Sequence, residues 1–164
     1  MTYKISTITL IFAILLTSGC KQEKNTKDAV SPKEIASASK ALNDWFQKKW
    51  DEDVALSPMT QTYLGDKTDY DKWDDLSKNA EEEKLERSKS RLAFLKDSTQ
   101  INSLDEPTKL SYRLAVQHFE NEIEDYQYRL YNYPVNQMFG IHSQVPSFLI
   151  NMHKITTKND AEAY

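Results

Sequence analysis

The chain has 164 residues, of which 39% are hydrophobic, 11% are aromatic and three are glycine. This composition is typical of one globular, helix-rich domain rather than of a disordered chain. Its formal net charge of -4 at pH 7 disfavours nucleic acid as a partner, because proteins that bind a phosphate backbone present a basic surface.

The amino terminus has the three parts of a secretory signal peptide, which we expect to span residues 1–19. Lys4 supplies the positive charge, an uninterrupted apolar run follows, and small residues precede Cys20. The apolar run is too short for a membrane-spanning helix. Residues 16–20, LTSGC, resemble the bacterial lipobox, whose cysteine is acylated and becomes the first residue of the mature protein. Thr17 departs from that pattern, in which leucine is commonest at this position.

Cys20 is the only cysteine of the chain, so we expect it to carry lipid rather than to form a disulfide. The lipid would attach the protein to the membrane; the alternative is an ordinary signal peptide followed by an incidental cysteine. Lys21 is not the aspartate that retains lipoproteins at the inner membrane, so we expect the periplasmic face of the outer membrane. Residues 20–30 predict a flexible tether, followed by a helical domain over residues 31–164.

Two helices are predicted after the tether. Ser31 and Glu34 have the spacing of a capping box around a proline, and apolar residues recur at steps of three and four over residues 35–54. This pattern predicts a long first helix. A second cap followed by proline at 57–58 begins a short helix, which Gly65 ends.

Residues 66–77, the acidic loop, contain five carboxylates, and Asp69 and Asp71 have the spacing of the first ligands in a calcium loop. An EF-hand loop needs a third ligand and then a glycine, but Trp73 and Asp74 occupy those positions. We therefore predict that the aspartates cap helices and turns while the aromatic side chains pack inward.

Ser77 begins a third predicted helix, over residues 78–99, with a narrow apolar face and a charged side exposed to solvent. Asp105 begins a fourth helix, which has the strongest periodic signal in the chain and is expected to continue to Pro134. Its apolar residues alternate steps of four and three: Tyr112, Val116, Phe119, Ile123, Tyr126 and Leu130.

Residues 131–153, the uncharged segment, contain no Lys, Arg, Asp or Glu in a chain that is 28% charged. Such sequence usually lies inside a protein or against another surface, and its proline, glycine and asparagine residues are expected to break any helical period. We predict a structured loop packed on helices. Four of its polar side chains are candidates for lining a cleft: Asn136, Gln137, His142 and His153. For either histidine, burial with a hydrogen bond to the backbone is the commoner alternative.

Thr157 and Asp160 have the spacing of a further capped helix, but the few residues that follow could not hold a helix by themselves. We expect either a frayed tail or the beginning of something longer. The predicted fold is therefore all-α, with about four antiparallel helices, a truncated fifth and a structured uncharged loop at residues 131–153.

No side chains have the spacing of a catalytic or metal site. His118 and Glu122 share a helix face, but without the second histidine of a zinc-binding His-Glu-x-x-His motif. No glycine-rich phosphate loop and no serine nucleophile motif occurs. The aromatic residues at 45–73 are predicted to be core rather than a ligand cage. We therefore predict no catalytic residue, no metal ligand and no cofactor in this chain.

Three stretches of the chain resemble the amino-terminal part of a bacterial family catalogued as domain of unknown function 885. They are LSPMTQTYLGDKTDYDKWDDLS, TKLSYRL and NYPVNQMFGIHSQVPSFLINMHKI. The resemblance covers about residues 38–164. Members of that family are long, mostly helical and often lipoproteins. They resemble zinc metallopeptidases of the gluzincin type, whose zinc-binding histidines and catalytic glutamate lie in the carboxy-terminal half.

The resemblance implies zinc only in full-length relatives, because the present sequence ends before that half. It assigns no zinc-ligand or general-base role to any residue here. It also implies that residues 131–153 form an amino-terminal wall of a cleft, completed in longer relatives by further helices. Apolar faces that meet those helices are then expected to be uncovered in this chain.

Two hypotheses for the function follow. The first is an amino-terminal fragment of a peptidase-like envelope lipoprotein, inactive by itself because the zinc-binding half is missing. The second is a lipoprotein that binds a peptide or another partner through the uncharged segment without catalysis. The substrate, the ligand and the oligomeric state are left open by the sequence.

Overall fold

The computed structural model describes residues 30–131 and 133–164. Within these residues the chain forms six α-helices and no strand, so the predicted all-α fold is confirmed. The predicted signal peptide, the predicted lipid attachment at Cys20 and the tether up to residue 29 lie outside the described residues. The helices, in chain order, are α1 (Pro32–Ala55), α2 (Pro58–Leu64), α3 (Lys78–Ser98), α4 (Glu106–Asp125), α5 (Ile141–Asn151) and α6 (Lys158–Ala163).

The helices begin where local chemistry predicts that they begin. Ser31 and Glu34 form a complete capping box, in which each side chain accepts a hydrogen bond from the backbone of the other residue. Ser57, Ser77 and Asp105 each accept from the backbone N–H three residues later. Such bonds satisfy N–H groups that have no partner within the helix.

The centre of the fold lies between α1, α3 and α4. Four buried side chains, which we call the bundle core, form one apolar cluster there: Leu42, Leu95, Leu104 and Phe119. The apolar periods of the three helices converge on this cluster, since half-buried residues of the same helix faces surround it. Polar contacts hold the same helices, because the guanidinium of Arg91 on α3 bonds both carboxylate oxygens of Asp53 on α1 at 2.7 and 2.8 Å.

Three of the five aspartates of the acidic loop cap turns and helix ends, as predicted: Asp66, Asp74 and Asp75. Asp74 accepts from the Ser57 hydroxyl at 2.9 Å and from the backbone N–H of Met59 at 2.9 Å, both at the start of α2. Asp66 accepts from the backbone N–H of Thr68 at 2.9 Å, in a local turn. Asp69 instead bonds the side chains of Gln61 and Lys72. Of the two aromatic residues of the loop, Tyr70 is buried as predicted, whereas Trp73 is 46% exposed, so the prediction that it packs inward is wrong.

The predicted end of the fourth helix is wrong. The fourth helix, α4, ends at Asp125 and is followed by one 3₁₀ turn at Tyr126–Tyr128, well before Pro134. The apolar period that continues to Leu130 suggested a longer helix, but the Leu130 side chain is largely exposed and has no neighbouring helix face to bury it. Periodicity needs a packing partner to become a helix in water.

The prediction that turn-forming residues break any helical period is wrong for residues 141–151. These residues form α5, which contains Pro146. A proline removes one helical hydrogen bond, here to the carbonyl of His142, while the packing of Phe148 on α2 and the acidic loop holds the remaining turns. The described chain consequently has one more helix than predicted.

The last helix, α6, does not fray. Thr157 and Asp160 form a capping box, and Lys67 in the acidic loop bonds the Asp160 carboxylate at 2.8 Å. A tertiary contact therefore stabilises a helix that is too short to be stable alone. None of the helices that the structure describes combines the length and the apolarity required to cross a membrane.

Candidate functional site

The uncharged segment contains a turn at residues 134–140, near its amino-terminal end. The side-chain oxygen of Asn136 accepts hydrogen bonds from the backbone N–H groups of Met138 at 2.8 Å and Phe139 at 2.7 Å. The backbone N–H of Asn136 donates to the carbonyl of Phe139 at 2.9 Å, and Val135 pairs with Gly140 in an isolated antiparallel bridge. Asparagine is well suited to this role because its side chain replaces a backbone acceptor in turns. The turn is thus fixed by its own hydrogen bonds.

Gly140 closes this turn in a conformation that other residues rarely adopt. Its φ is +153°, and a Cβ at this position would lie 2.8 Å from the carbonyl oxygen of Pro134 and 2.9 Å from the Cα of Val135. Both of these are backbone atoms, so they cannot move aside as a flexible side chain would. A side chain at 140 would therefore open the turn.

Helix α5 is attached to the rest of the fold through Phe148. The Phe148 side chain is buried, its ring meets the edge of Tyr63 with 5.2 Å between centroids, and Trp73 lies 5.4 Å away on another side. Such tilted arrangements are favourable between aromatic rings. Phe148 therefore joins the uncharged segment to both α2 and the acidic loop.

His153 ends the segment in a second buried contact. Its Nε2 lies 3.0 Å from the backbone carbonyl of Tyr70, and its ring stacks on the Tyr70 ring at 3.8 Å and meets the edge of Tyr164 at 5.4 Å. A carbonyl can only accept, so Nε2 carries the proton in this contact. Nδ1 is buried and has no hydrogen-bond partner among the described residues. We call the residues of these two contacts the aromatic cluster: Tyr63, Tyr70, Trp73, Phe148, His153 and Tyr164.

A network around Asp160 completes this side of the fold. One Asp160 oxygen accepts from the backbone N–H groups of Thr156 and Thr157, each at 2.8 Å, and from the Thr156 hydroxyl at 2.7 Å. The bonds from Lys67 and Thr156 hold the pKa of Asp160 well below its usual range. The carboxylate is thus ionised at neutral pH and ties α6 to the acidic loop.

Apart from the contacts of Phe148 and His153, the uncharged segment is mostly exposed. Only Gly140, Phe148 and His153 are buried among its described residues. Seven apolar side chains of the segment are more than half exposed, from 53% to 84%: Tyr131, Tyr133, Val135, Met138, Phe139, Ile141 and Ile150. So many exposed apolar side chains on one rigid segment are typical of a surface that meets another molecule.

The structure separates the four candidate cleft-lining residues into two groups. Asn136, Gln137 and the exposed His142 lie within the turn and the first residues of α5, although the oxygen of Asn136 is used by the turn itself. His153 is buried just beyond the carboxy-terminal end of α5. The helix is about 16 Å long, so it separates His153 from the other three residues. Its contacts are those of a buried histidine bonded to the backbone, and a cleft-lining role for any of the four stays a prediction.

Sequence reasoning did not identify the partners of these residues. Tyr63 and Trp73 belong to the aromatic residues at 45–73 that are predicted to be core, but both are about half exposed, and the structure divides this set. Trp45 stacks on Phe94 beside the bundle core, at 4.7 Å between centroids, whereas Tyr63 and Trp73 contact the uncharged segment. No periodic signal distinguishes the two groups, because the contacts join distant parts of the chain.

A zinc site cannot be built from the described residues. They contain no group of three or more His, Cys, Asp or Glu side chains arranged to hold a metal ion. His118 and Glu122 lie 3.7 Å apart, but zinc in proteins requires at least three protein ligands.

Residues 58–164 match the model of a family described as bacterial protein of unknown function (DUF885). The match covers more than half of the chain and includes α2 to α6 with the whole uncharged segment. No curated protein matches the chain, and no solved structure matches it either.

Proposed function

The chain belongs to the DUF885 family of bacterial proteins of unknown function, and we propose that it is an envelope lipoprotein whose uncharged segment forms one wall of a peptide-binding cleft. Lipid on Cys20 attaches it to the membrane in this proposal, with the domain on the periplasmic face of the outer membrane. The observation that supports a binding surface is the set of seven exposed apolar side chains between residues 131 and 150.

A peptide fits the chemistry of this surface. The exposed side chains provide apolar contact, and no charged residue of the segment has to be desolvated. Pro146 has no N–H to donate to the carbonyl of His142, and we expect that carbonyl to accept from a ligand N–H. Gln137 at the turn offers a further amide. Apolar contact with a few fixed polar groups is the usual composition of a binding site.

We further propose that additional helices of a longer, peptidase-like protein cover part of this surface. In such enzymes zinc activates a water molecule for attack on the peptide bond. The described residues offer no zinc-binding set, so we expect this chain to hydrolyse no peptide by itself.

The mass of the native protein tests the longer-protein part of the proposal. An antibody raised against residues 78–100 would be used on the membrane fraction of the source bacterium. We expect a species several times heavier than the 19.1 kDa encoded here. A species at the encoded mass, less the signal peptide, would contradict this part and favour a binding lipoprotein without catalysis.

A paired substitution tests the peptide-binding wall. Tyr133 and Phe139, both largely exposed, would be changed together to serine, and Leu110 and Leu114, equally exposed on α4, would be changed as the matched control. Anisotropy of a fluorescein-labelled leucine- and phenylalanine-rich heptapeptide gives the affinity of the full chain in nanodiscs. We expect about tenfold weaker binding for the first pair only; equal loss in both pairs would contradict a specific wall.

Lipid attachment is tested separately with Cys20→Ser. We expect palmitate labelling and membrane association to be lost together, since the sole thiol is the acceptor. A membrane-bound, unlabelled Cys20→Ser protein would contradict the anchor but leave the peptide-binding wall unaffected.

A further inference from the structure

A second concave surface lies at one end of the three-helix bundle. It has a volume of about 850 Å³ and is formed by the carboxy-terminal half of α1, the first half of α3, the second half of α4 and the end of the acidic loop. No residue of the uncharged segment lines it. Its volume is within the range of ordinary small-molecule sites, about 300 to 1,000 Å³. We call it the bundle cleft.

The bundle cleft has an apolar wall that is open to solvent. Trp45, Phe46 and Val54 line it from α1. Trp50, also on this wall, and Leu76 at the mouth are both largely exposed. An exposed indole ring beside further apolar side chains is suited to contact with an apolar ligand group.

Four cationic side chains line the cleft, and only Arg87 lacks a carboxylate partner among the described residues. The other three are paired: Lys49 with Glu52 at 2.8 Å, Lys84 with Glu122 at 3.0 Å and Arg91 with Asp53 at 2.7 Å. Within the part of the chain that the structure describes, the half-buried Arg87 forms neither an ion pair nor a hydrogen bond. Its guanidinium donors are therefore available to a ligand in the cleft.

Glu83 lies one helical turn before Arg87 and lines the same cleft. One of its oxygens accepts from the Asn79 amide at 2.8 Å, and no cation lies within ion-pair distance among the described residues. Side chains four residues apart lie on the same face of a helix. Glu83 and Arg87 thus place a carboxylate and a guanidinium on one face of α3, and the two groups form no ion pair with each other.

The charge of the lining favours a ligand with both signs. Six carboxylates and four cations line the cleft, so a simple anion would meet an excess of negative charge. A zwitterion avoids this repulsion. The amino and carboxyl groups of an extended dipeptide are about 6 Å apart, so its two ends can contact two different side chains that line the cleft.

We propose that the bundle cleft binds a short zwitterionic peptide that carries an apolar side chain. Arg87 binds the terminal carboxylate, with which a guanidinium forms two parallel hydrogen bonds. Glu83 binds the terminal ammonium, and the apolar side chain packs on the wall around Trp50. This site is independent of the wall formed by the uncharged segment.

Calorimetry with a defined dipeptide tests the site. The full chain in phospholipid nanodiscs would be titrated with leucyl-phenylalanine, with its carboxy-terminal amide and with its N-acetyl form. We expect saturable binding of the dipeptide and at least about tenfold weaker binding of the amide, because a charge-assisted pair is lost. The N-acetyl form should also bind more weakly, because acetylation removes the ammonium charge that pairs with Glu83.

Arg87→Gln is the decisive variant, with Arg113→Gln, exposed on α4 and outside the cleft, as its matched control. We expect Arg87→Gln to weaken dipeptide binding about tenfold and to abolish the difference between dipeptide and amide. Its thermal unfolding should match that of the native chain, since Arg87 has no partner among the described residues. Changing Tyr133 and Phe139 to serine should leave dipeptide binding unchanged, which separates this site from the proposed function.

Three outcomes would overturn the proposal. The first is no saturable binding of the dipeptide at millimolar concentration. The second is equal affinity for the dipeptide and its amide, and the third is equal effects of Arg87→Gln and Arg113→Gln.

Discussion

The bundle core and the aromatic cluster differ in the kind of elements that they join. The core joins the apolar faces of three long helices, α1, α3 and α4, and its four side chains are buried. The aromatic cluster joins residues 63–73 to residues 148–164, which belong to short elements, and several of its rings are partly exposed. Repeating helical contacts stabilise the first region, whereas a few specific pairs stabilise the second. We therefore expect substitutions in the core to act globally and substitutions in the cluster to act locally.

The largest expected effect comes from Leu95→Ala. Leu95 is completely buried in the bundle core, and truncating such a leucine costs about 3 to 5 kcal/mol of unfolding free energy, because a cavity remains. Urea unfolding followed by circular dichroism measures this change. Leu114→Ala, exposed on α4, is the control and should change the free energy by about 0.5 kcal/mol or less. A small effect at Leu95 would show that the bundle core is not the main source of stability.

Phe148→Ala should have a smaller and more local effect, of about 2 to 3 kcal/mol, because the partly exposed neighbours can relax into the space. Hydrogen exchange of backbone amides measures it: protection should fall in α5 and α6 while α1, α3 and α4 keep theirs. Phe139→Ala, in the same segment but exposed, is the control. Equal loss of protection in all helices would show that the two regions unfold as one.

His153→Phe tests one pair within the aromatic cluster. The substitution keeps an aromatic ring over Tyr70 but removes the N–H that donates to the Tyr70 carbonyl. A buried carbonyl without a donor costs about 1 to 2 kcal/mol, which urea unfolding measures. His142→Phe, at an exposed position, should cost much less. Equal effects would mean that the contact at Tyr70 contributes nothing specific.

The smallest effect is expected at Asp160 and depends on pH. Its pKa is lowered in the folded state by Lys67 and Thr156, so the ionised carboxylate stabilises the fold above the unfolded-state pKa of about 4. This contribution is lost as the pH falls through the folded-state value.

Comparison of the native chain with Asp160→Asn from pH 6 to pH 2 measures that contribution. The stability difference between the two proteins should be constant above about pH 5 and should shrink below about pH 4. A difference that stays constant to pH 2 would contradict the assignment.

The helix starts and the apolar helix faces that form the bundle core could be predicted from the sequence because each is a short or repeating pattern within one helix. The caps at Ser31, Ser57, Ser77 and Asp105 are short patterns, and the apolar steps of α1 and α4 lead directly to Leu42 and Phe119. The end of α4 was predicted poorly, since an apolar period says nothing about whether a partner surface is present.

The aromatic cluster could not be predicted, because its contacts are single pairs between short elements and no repeating pattern marks the residues involved. His153 and Tyr70 are 83 positions apart, and nothing in either neighbourhood indicates the other. The candidate site was predicted in part. The absence of charge identified residues 131–153, but neither the helix within them nor the turn held by Asn136 followed from composition. Proline and glycine indicated turns correctly at 134–140 and incorrectly at 146.

The turn between Pro134 and Gly140 also affects how fast and how tightly a partner could associate. Its hydrogen bonds through Asn136 and the conformation of Gly140 order the exposed side chains within the isolated chain. The conformational entropy of these residues is therefore already lost when the chain folds. Binding a partner does not have to order them again, so this cost does not weaken the affinity. Association would then depend on orientation rather than on a conformational search, and the free and bound backbones of the turn should superimpose closely.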